Sequence, residues 1–233
     1  MSDYKNPFVI DREAEASIPV VGESRPFPVR RIWCVGRNYA EHAKEMGHDP
    51  DREPPFFFAK PSDSVVPEGG DISFPVATSN LHHEVELAVA IGSGGRNIDL
   101  KQAESLIYGY AVALDMTRRD LQQEAKRLSR PWAIAKGFDQ SCPISAIRPK
   151  TDTGPATSGS IELQVNGNVR QTGDLSEMIW STVECLSILS NLVELKAGDL
   201  LLTGTPAGVG SVNIGDQLTA RIDRIGELSV RYQ

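Results

Sequence analysis

Basic residues are in short supply. The 24 Lys and Arg stand against 31 Asp and Glu, a net charge of −7, and they form no stripe. That excludes a nucleic-acid partner, because neutralising phosphates needs a dense positive face. A small anionic substrate stays open, since a bound cation reverses a local field. Cysteine is scarcer still. Cys34, Cys142 and Cys185 are odd in number, far apart and without C-x-x-C spacing. This excludes a disulfide framework and fits reduced thiols in a cytosolic protein, each a small buried hydrophobe rather than a nucleophile. Long apolar runs are missing too. None approaches the ~18 residues of a membrane span, and Met1-Ser2-Asp3-Tyr4-Lys5-Asn6 leads into no signal-peptide core. The expectation is a soluble, cytoplasmic protein with no membrane partner.

What is there suits one substantial domain: 233 residues, 40% apolar and 24% charged. Pro7, Pro19, Pro26 and Pro28 make residues 1–30 an extended arm packed on a body of residues 31–233. In the body, strands are expected at 32–36, 56–59, 84–91 and 108–115, then at 199–203, 217–222 and 227–232. Asn166-Gly167 marks a hairpin turn. Helices are expected at 39–46, capped by Asn38, at 117–128, and at 176–191, whose Ile179, Val183, Leu186 and Leu189 face the core. Residues 150–159 read as a surface loop. Strands dominate, the βαβ alternation of a doubly wound fold is absent, and the class is α+β.

The run His83-Glu84-Val85-Glu86-Leu87-Ala88-Val89-Ala90-Ile91-Gly92 sets two carboxylates in an apolar strand. Alternation puts Glu84, Glu86 and Ala88 on one face and Val85, Leu87 and Val89 on the other. Buried carboxylates require a positive partner; the alternative is an edge strand with a wetted acidic face. Asp115 ends the strand Tyr108–Asp115, on a face of Gly109, Ala111 and Ala113 that lets a group approach closely. Were the two strands neighbours, three carboxylates would converge and select a hard cation, Mg²⁺ first, with Mn²⁺ or Ca²⁺ next. Zinc lacks its Cys/His set.

The helix after Asp115 is expected to start on a Thr117/Asp120 capping pair and to bury Leu121, Ala125 and Leu128. Arg118 and Arg119 then fall in its first turn, where the macrodipole disfavours cations. Arg119, with Gln122 one turn on, therefore reads as facing an anionic substrate. The competing reading is a surface arginine balanced by Asp120. His42 and Glu45 are at i and i+3 of a helix, a pairing that suits a general base oriented by a carboxylate. Ordinary charge pairing on an exposed helix explains the same spacing. His48 and His82 are weaker candidates, and His83 reads as a structural support beside the acidic strand.

Seven ordered motifs give the chain a wider likeness. They are Gly36-Arg37-Asn38-Tyr39 with His42 and Glu45; Phe58-Ala59-Lys60-Pro61; His83-Glu84-Val85-Glu86-Leu87; Leu114-Asp115-Met116-Thr117-Arg118-Arg119-Asp120-Leu121-Gln122; Pro131-Trp132-Ala133-Ile134-Ala135-Lys136-Gly137-Phe138-Asp139; Val165-Asn166-Gly167; and Leu202-Thr203-Gly204-Thr205-Pro206-Ala207-Gly208-Val209-Gly210. Over residues 29–231 the chain resembles the fumarylacetoacetate hydrolase family, in particular its small acylpyruvate hydrolases. The resemblance implies a mixed β-roll or barrel-like fold, a homodimer, and one divalent metal, usually Mg²⁺ or Mn²⁺, held by Glu84, Glu86 and Asp115. It also implies a water-activating pair, His42 and Glu45, a lysine at Lys136, and substrate contacts from Arg119, Gln122 and Thr205.

The implied reaction is metal-assisted hydrolysis of a 3-acylpyruvate. Its best match is 3-fumarylpyruvate, giving fumarate and pyruvate as in gentisate-type aromatic degradation. Oxaloacetate decarboxylation, keto–enol tautomerisation and dienoate isomerisation use the same metal enolate without an attacking water. A non-catalytic metal-binding module is the third reading. The Gly204–Gly210 loop has no lysine before Ser211 and is no Walker loop. Residues 39–55 are the expected lid.

Overall fold

The computed structural model describes residues 9–10, 14–45 and 53–233, with residues 43–45 given as backbone only. The fold is strand-dominated, with a sheet curled into a half-barrel and few helices. Its main sheet is mixed. From one edge it runs Phe56–Lys60, Arg31–Gly36, Asp199–Leu202, Val85–Ile91, Ile107–Leu114, Cys142–Ile144 and Val65–Pro67, with Arg148–Pro149 beside Ile107–Leu114. Asp199–Leu202 lies parallel to Arg31–Gly36 and antiparallel to Val85–Ile91. Sequence-distant segments thus meet at the centre. A second sheet is antiparallel over Asn168–Asp174, Ser160–Val165, Gln217–Ile222 and Gly226–Tyr232, with Gly70–Ile72 joining in parallel. Leu81–His83 centres a small third sheet between Thr117–Arg118 and Gly210–Val212.

The acidic strand is no wetted edge. All seven residues of Val85–Ile91 are buried, and its two faces serve two packing clusters. Val85, Leu87, Val89 and Ile91 join the larger core between the sheets. Ala88 and Ala90, with Ala111 and Ala113 of the neighbouring strand, join a smaller one that also holds Ile18, Val20, Phe27 and Val29. Ser17–Ile18 pairs with Phe27–Pro28, and Val21 N–H donates to the Ile147 carbonyl. Small residues are needed on this face: a Cβ on Gly109 would lie 2.4 Å from the Arg148 carbonyl oxygen.

Several local expectations hold. The hairpin turns at Asn166 and Gly167, with φ of +52° and +76°, the left-handed pair that an Asn-Gly type I′ turn requires. Others are corrected. Asn38, expected to cap the helix Ala40–Glu45, has partners other than that helix's first amides. Its side chain instead clamps distant segments, donating to the carbonyls of Trp180 and Thr203 and accepting from Trp180 N–H. The helix at 117–128 begins later, as Arg119–Arg127, because Thr117–Arg118 pairs with Leu81–His83 as a short strand. Asp120 is spent on Thr78 Oγ1 and the amides of Ser79 and Leu121. The face this helix buries is Arg119 and Gln122, and Leu128 is exposed. That face turns its polar side chains to the carboxylate cluster, so apolar periodicity misjudges it.

The span 176–191 divides into a 3-10 turn, Leu175–Glu177, and the helix Thr182–Leu192, started by a Ser181/Glu184 capping box. The expected loop at 150–159 opens with a short helix, Lys150–Thr153. A further helix, Leu100–Leu106, not among the expected ones, starts on an Asp99/Gln102 capping box. Within the expected lid, residues 46–52 lie outside the described ones. No described helix is long and apolar enough to cross a membrane.

Candidate active site

Strand register brings the carboxylates together. Val85 opposes Leu114 and Glu86 opposes Ala113, and Asp115 N–H donates to the Glu84 carbonyl at 2.8 Å. Glu84 and Asp115 are therefore cross-strand neighbours, with Glu86 two residues along on the same face. One oxygen from each of the three lies within 4.8 Å of the others, and all three residues are buried.

Three cations gather around them. Lys136, from the short helix Ala133–Lys136, donates to Glu84 Oε2 at 2.7 Å and Asp115 Oδ2 at 2.6 Å. Arg119 donates to Glu84 Oε1, to Gln122 Oε1 at 2.6 Å and to His82 Nδ1 at 3.3 Å. Lys60, fully buried, places Nζ 2.9 Å from Asp115 Oδ1 and donates to the carbonyls of Met116 and Lys136. That ion pair is a matter of proximity. Asp115 Oδ1 receives no well-directed hydrogen bond among the described residues.

These contacts set the protonation pattern. Burial works to raise the Glu84 pKa, but Lys136 and Arg119 hold it well below the usual carboxylate range. The Lys136 ammonium is disfavoured by burial, yet Asp115 and Glu84 raise its pKa. Glu86 goes the other way. Burial, then the charges of Asp115 and Glu84, push its pKa well up, and the Gly204 amide is its hydrogen-bond donor. The three thiols are inert by the same physics, with burial raising Cys34 and pushing Cys142 and Cys185 up to about 12.

The donor set fits a hard divalent cation. It offers three hard oxygens, one of them lacking a hydrogen bond and another the acidic group least supported by positive charge. Glu84, Glu86 and Asp115 are the residues that would hold it.

A cavity of about 260 Å³ opens over this cluster, lined by His42, Arg119, Gln122, Lys136 and Thr205 together with Phe56, Phe58 and Trp132. His42 is buried and lines the same cavity as Glu84. Glu45 is in the His42 helix, but its side chain lies outside the described residues, as does His48. Thr205 Oγ1 accepts from Gln171 Nε2 at 2.7 Å. His83 lies off the cavity lining and bonds Gln171 Oε1 through Nδ1 at 2.9 Å. Burial lowers its pKa.

The sequence reading missed two buried organisers. Lys60 stands in the sequence only as part of the Phe58-Ala59-Lys60-Pro61 motif. Gln171, fully buried, ties His83, the Val85 amide, Thr205 and the Pro206 carbonyl into one network. It is the one buried residue of the strand Asn168–Asp174, whose other residues are exposed or half-buried, so periodicity carries no signal for it.

Comparison with known proteins agrees with this architecture. The family described as "Fumarylacetoacetate (FAA) hydrolase C-terminal" matches residues 31–232. A crystal structure of fumarylpyruvate hydrolase from Pseudomonas aeruginosa, in complex with Mn²⁺ and pyruvate, is 50% identical. It covers 97% of this chain and 98% of its own, with a TM-score of 0.94. The mitochondrial oxaloacetate decarboxylase of Dictyostelium discoideum is 45% identical, covering 83% of this chain and 88% of its own. The mitochondrial oxaloacetate tautomerase FAHD1 of Mus musculus is 44% identical, covering 88% and 95%.

Proposed function

The chain belongs to the fumarylacetoacetate hydrolase family, and from that premise we propose a metal-dependent hydrolase of 3-acylpyruvates, best matched to 3-fumarylpyruvate. The observation that carries this reading is the buried His42 on the same cavity as Glu84, Glu86 and Asp115. The reading is supported by an imidazole on the same cavity as a set of oxygens suited to a hard cation. Mg²⁺, or Mn²⁺ in its place, would supply Lewis-acid polarisation of a 2-oxo acid when bound.

The chain's own residues do the rest. His42 takes a proton from water, and the hydroxide attacks the C4 carbonyl. The C3–C4 bond breaks, its electron pair passes to C3, and C3 takes up a proton, so that fumarate and pyruvate result. Glu45, one helical turn from His42, orients the imidazole. Lys136 and Gln122 steady developing oxyanion charge, and Arg119 and Thr205 seat the substrate. The homodimer belongs to the same proposal, and light scattering of the purified protein tests it.

A second reading is favoured by the oxaloacetate relatives at 44–45% identity. Tautomerisation or decarboxylation of oxaloacetate needs the same enolate but no attacking water. A panel of 3-acylpyruvates and oxaloacetate, assayed with Mg²⁺ and with chelator, separates the two. Loss of the enol-diketone ultraviolet band with fumarate and pyruvate as products supports the hydrolase. Enol–keto exchange or CO₂ release from oxaloacetate, with the acylpyruvates untouched, overturns it.

A further inference from the structure

One end of the cavity carries positive charge that the carboxylate cluster does not use. Arg37 follows the strand Arg31–Gly36 in the left-handed region, φ +57°, a conformation uncommon for a residue with a side chain. Its guanidinium lies 5.1 Å over the ring of Phe56. Gly36 makes this possible, since a Cβ there would sit 2.0 Å from the same ring. Phe56 and Phe58 both meet Trp132 edge-on, with centroids 5.5 and 5.9 Å apart. Lys126, exposed at the mouth, holds Nζ 5.2 Å over the Trp132 ring.

Both cations line the cavity, and neither charged head makes a hydrogen bond or ion pair among the described residues. Arg119, by contrast, is committed to Glu84. Ring faces compensate a cation only weakly. Desolvation of the ammonium lowers the Lys126 pKa, and Arg119 and Arg37 push it the same way. Like charges are thus gathered here, opposed only in part by Glu84 among the described residues.

We infer that Arg37 and Lys126 form a distal carboxylate subsite, so that the enzyme selects acyl chains that are planar, conjugated and end in a carboxylate. The inference rests on the 2-oxo acid reading of the cavity. The aromatic wall of Phe56, Trp132 and Phe58 suits a flat chain, and the two cations at its end suit a terminal negative charge. An acylpyruvate with a neutral acyl group would leave them uncompensated.

Two seven-carbon ligands that lack the cleavable 4-oxo group test this: 2-oxopimelate and 2-oxoheptanoate, which differ by the terminal carboxylate. Binding is measured calorimetrically to the Mg²⁺-loaded protein. The wild type is expected to prefer the diacid about tenfold. Lys126→Met and Arg37→Met are expected to collapse that ratio to within about twofold, and Lys126→Arg to restore it. Equal wild-type affinity for the two ligands overturns the subsite and leaves the 2-oxo acid reading standing. Equal losses for both ligands in the Met variants also overturn it, because the residues would then only support the ring wall. If neither ligand binds in a Mg²⁺-dependent way, the proposed function fails and the subsite with it.

Discussion

The backbone N–H of Gly204 donates to Glu86 Oε2 at 2.7 Å, and this amide stands where Glu84 and Asp115 have charged partners. Glu84 meets Arg119 and Lys136, and Asp115 meets Lys60 and Lys136. Glu86 has no cation at hydrogen-bond distance among the described residues. The site is therefore uneven: two of its carboxylates are paired with lysine and arginine, and the third is left for whatever cation binds.

Metal affinity follows from that unevenness. The Glu86 pKa is raised by burial and by Asp115 and Glu84, and ligation needs the carboxylate. Below that raised pKa the proton competes with the metal, and each pH unit lost weakens binding by up to about tenfold. Above it the dependence flattens. Calorimetry with Mn²⁺ in two buffers of different ionisation enthalpy is expected to show proton release on binding. Affinity that stays constant from pH 8 down to pH 5, with no proton release, would count against Glu86 as a ligand.

Gly204→Ala probes the amide itself. Gly204 has φ +94°, and an added Cβ would lie 2.7 Å from Asn38 Cβ. The substitution meets both strain and contact, at about 1–3 kcal/mol, and displaces the N–H from Glu86. Weaker Mn²⁺ binding together with a lower Tm is expected. A loss of stability with metal affinity intact would separate the glycine from the site.

Glu84→Gln removes one carboxylate of the cluster, leaving Lys136 with Asp115 and Arg119 with Gln122 and His82. Metal-dependent turnover is expected to vanish. A variant that stays active and ignores chelator would sink the assignment of the trio.

His42→Ala is expected to retain Mn²⁺ binding and to lose hydrolysis by roughly 10²- to 10⁴-fold. Titration with Mn²⁺ followed by the ultraviolet assay separates the two effects. Wild-type hydrolysis in this variant would remove His42 from the role of base.

Stability far from the cavity has its own test in Asp199, which is buried. Its carboxylate accepts from Arg30, from Arg31 and from the Lys196 amide, and joins the arm's end to the central strand. Both arginines are part-exposed, so solvent screens the pairs. Asp199→Ala is expected to cost about 2–3 kcal/mol, and to lower Tm by roughly 5–10 °C, as read by thermal unfolding.

Much of this was legible in the residues. Glu84 and Glu86 two apart in an apolar run specify one acidic face whatever the fold, because alternation is a property of the strand itself. Asn166-Gly167 likewise dictates its turn locally. The helix after Asp115 is not legible in this way because its buried face is Arg119 and Gln122, and apolar periodicity cannot see a helix whose inward side chains are polar. Asn38 has the chemistry of a helix cap, but Trp180 and Thr203 claim its side chain from more than 140 residues away.

The sequence by itself determined which residues are able to ionise, ligate or turn, since those are properties of side chain and local backbone. Tertiary structure alone decided their company. It set Asp115 opposite Glu84 through register, inserted Asp199–Leu202 between strands distant in sequence, and brought Lys60, Lys136 and Arg119 onto the same carboxylates. Charge in a buried site depends on neighbours, and neighbours so far apart in the chain are chosen only when the sheets close.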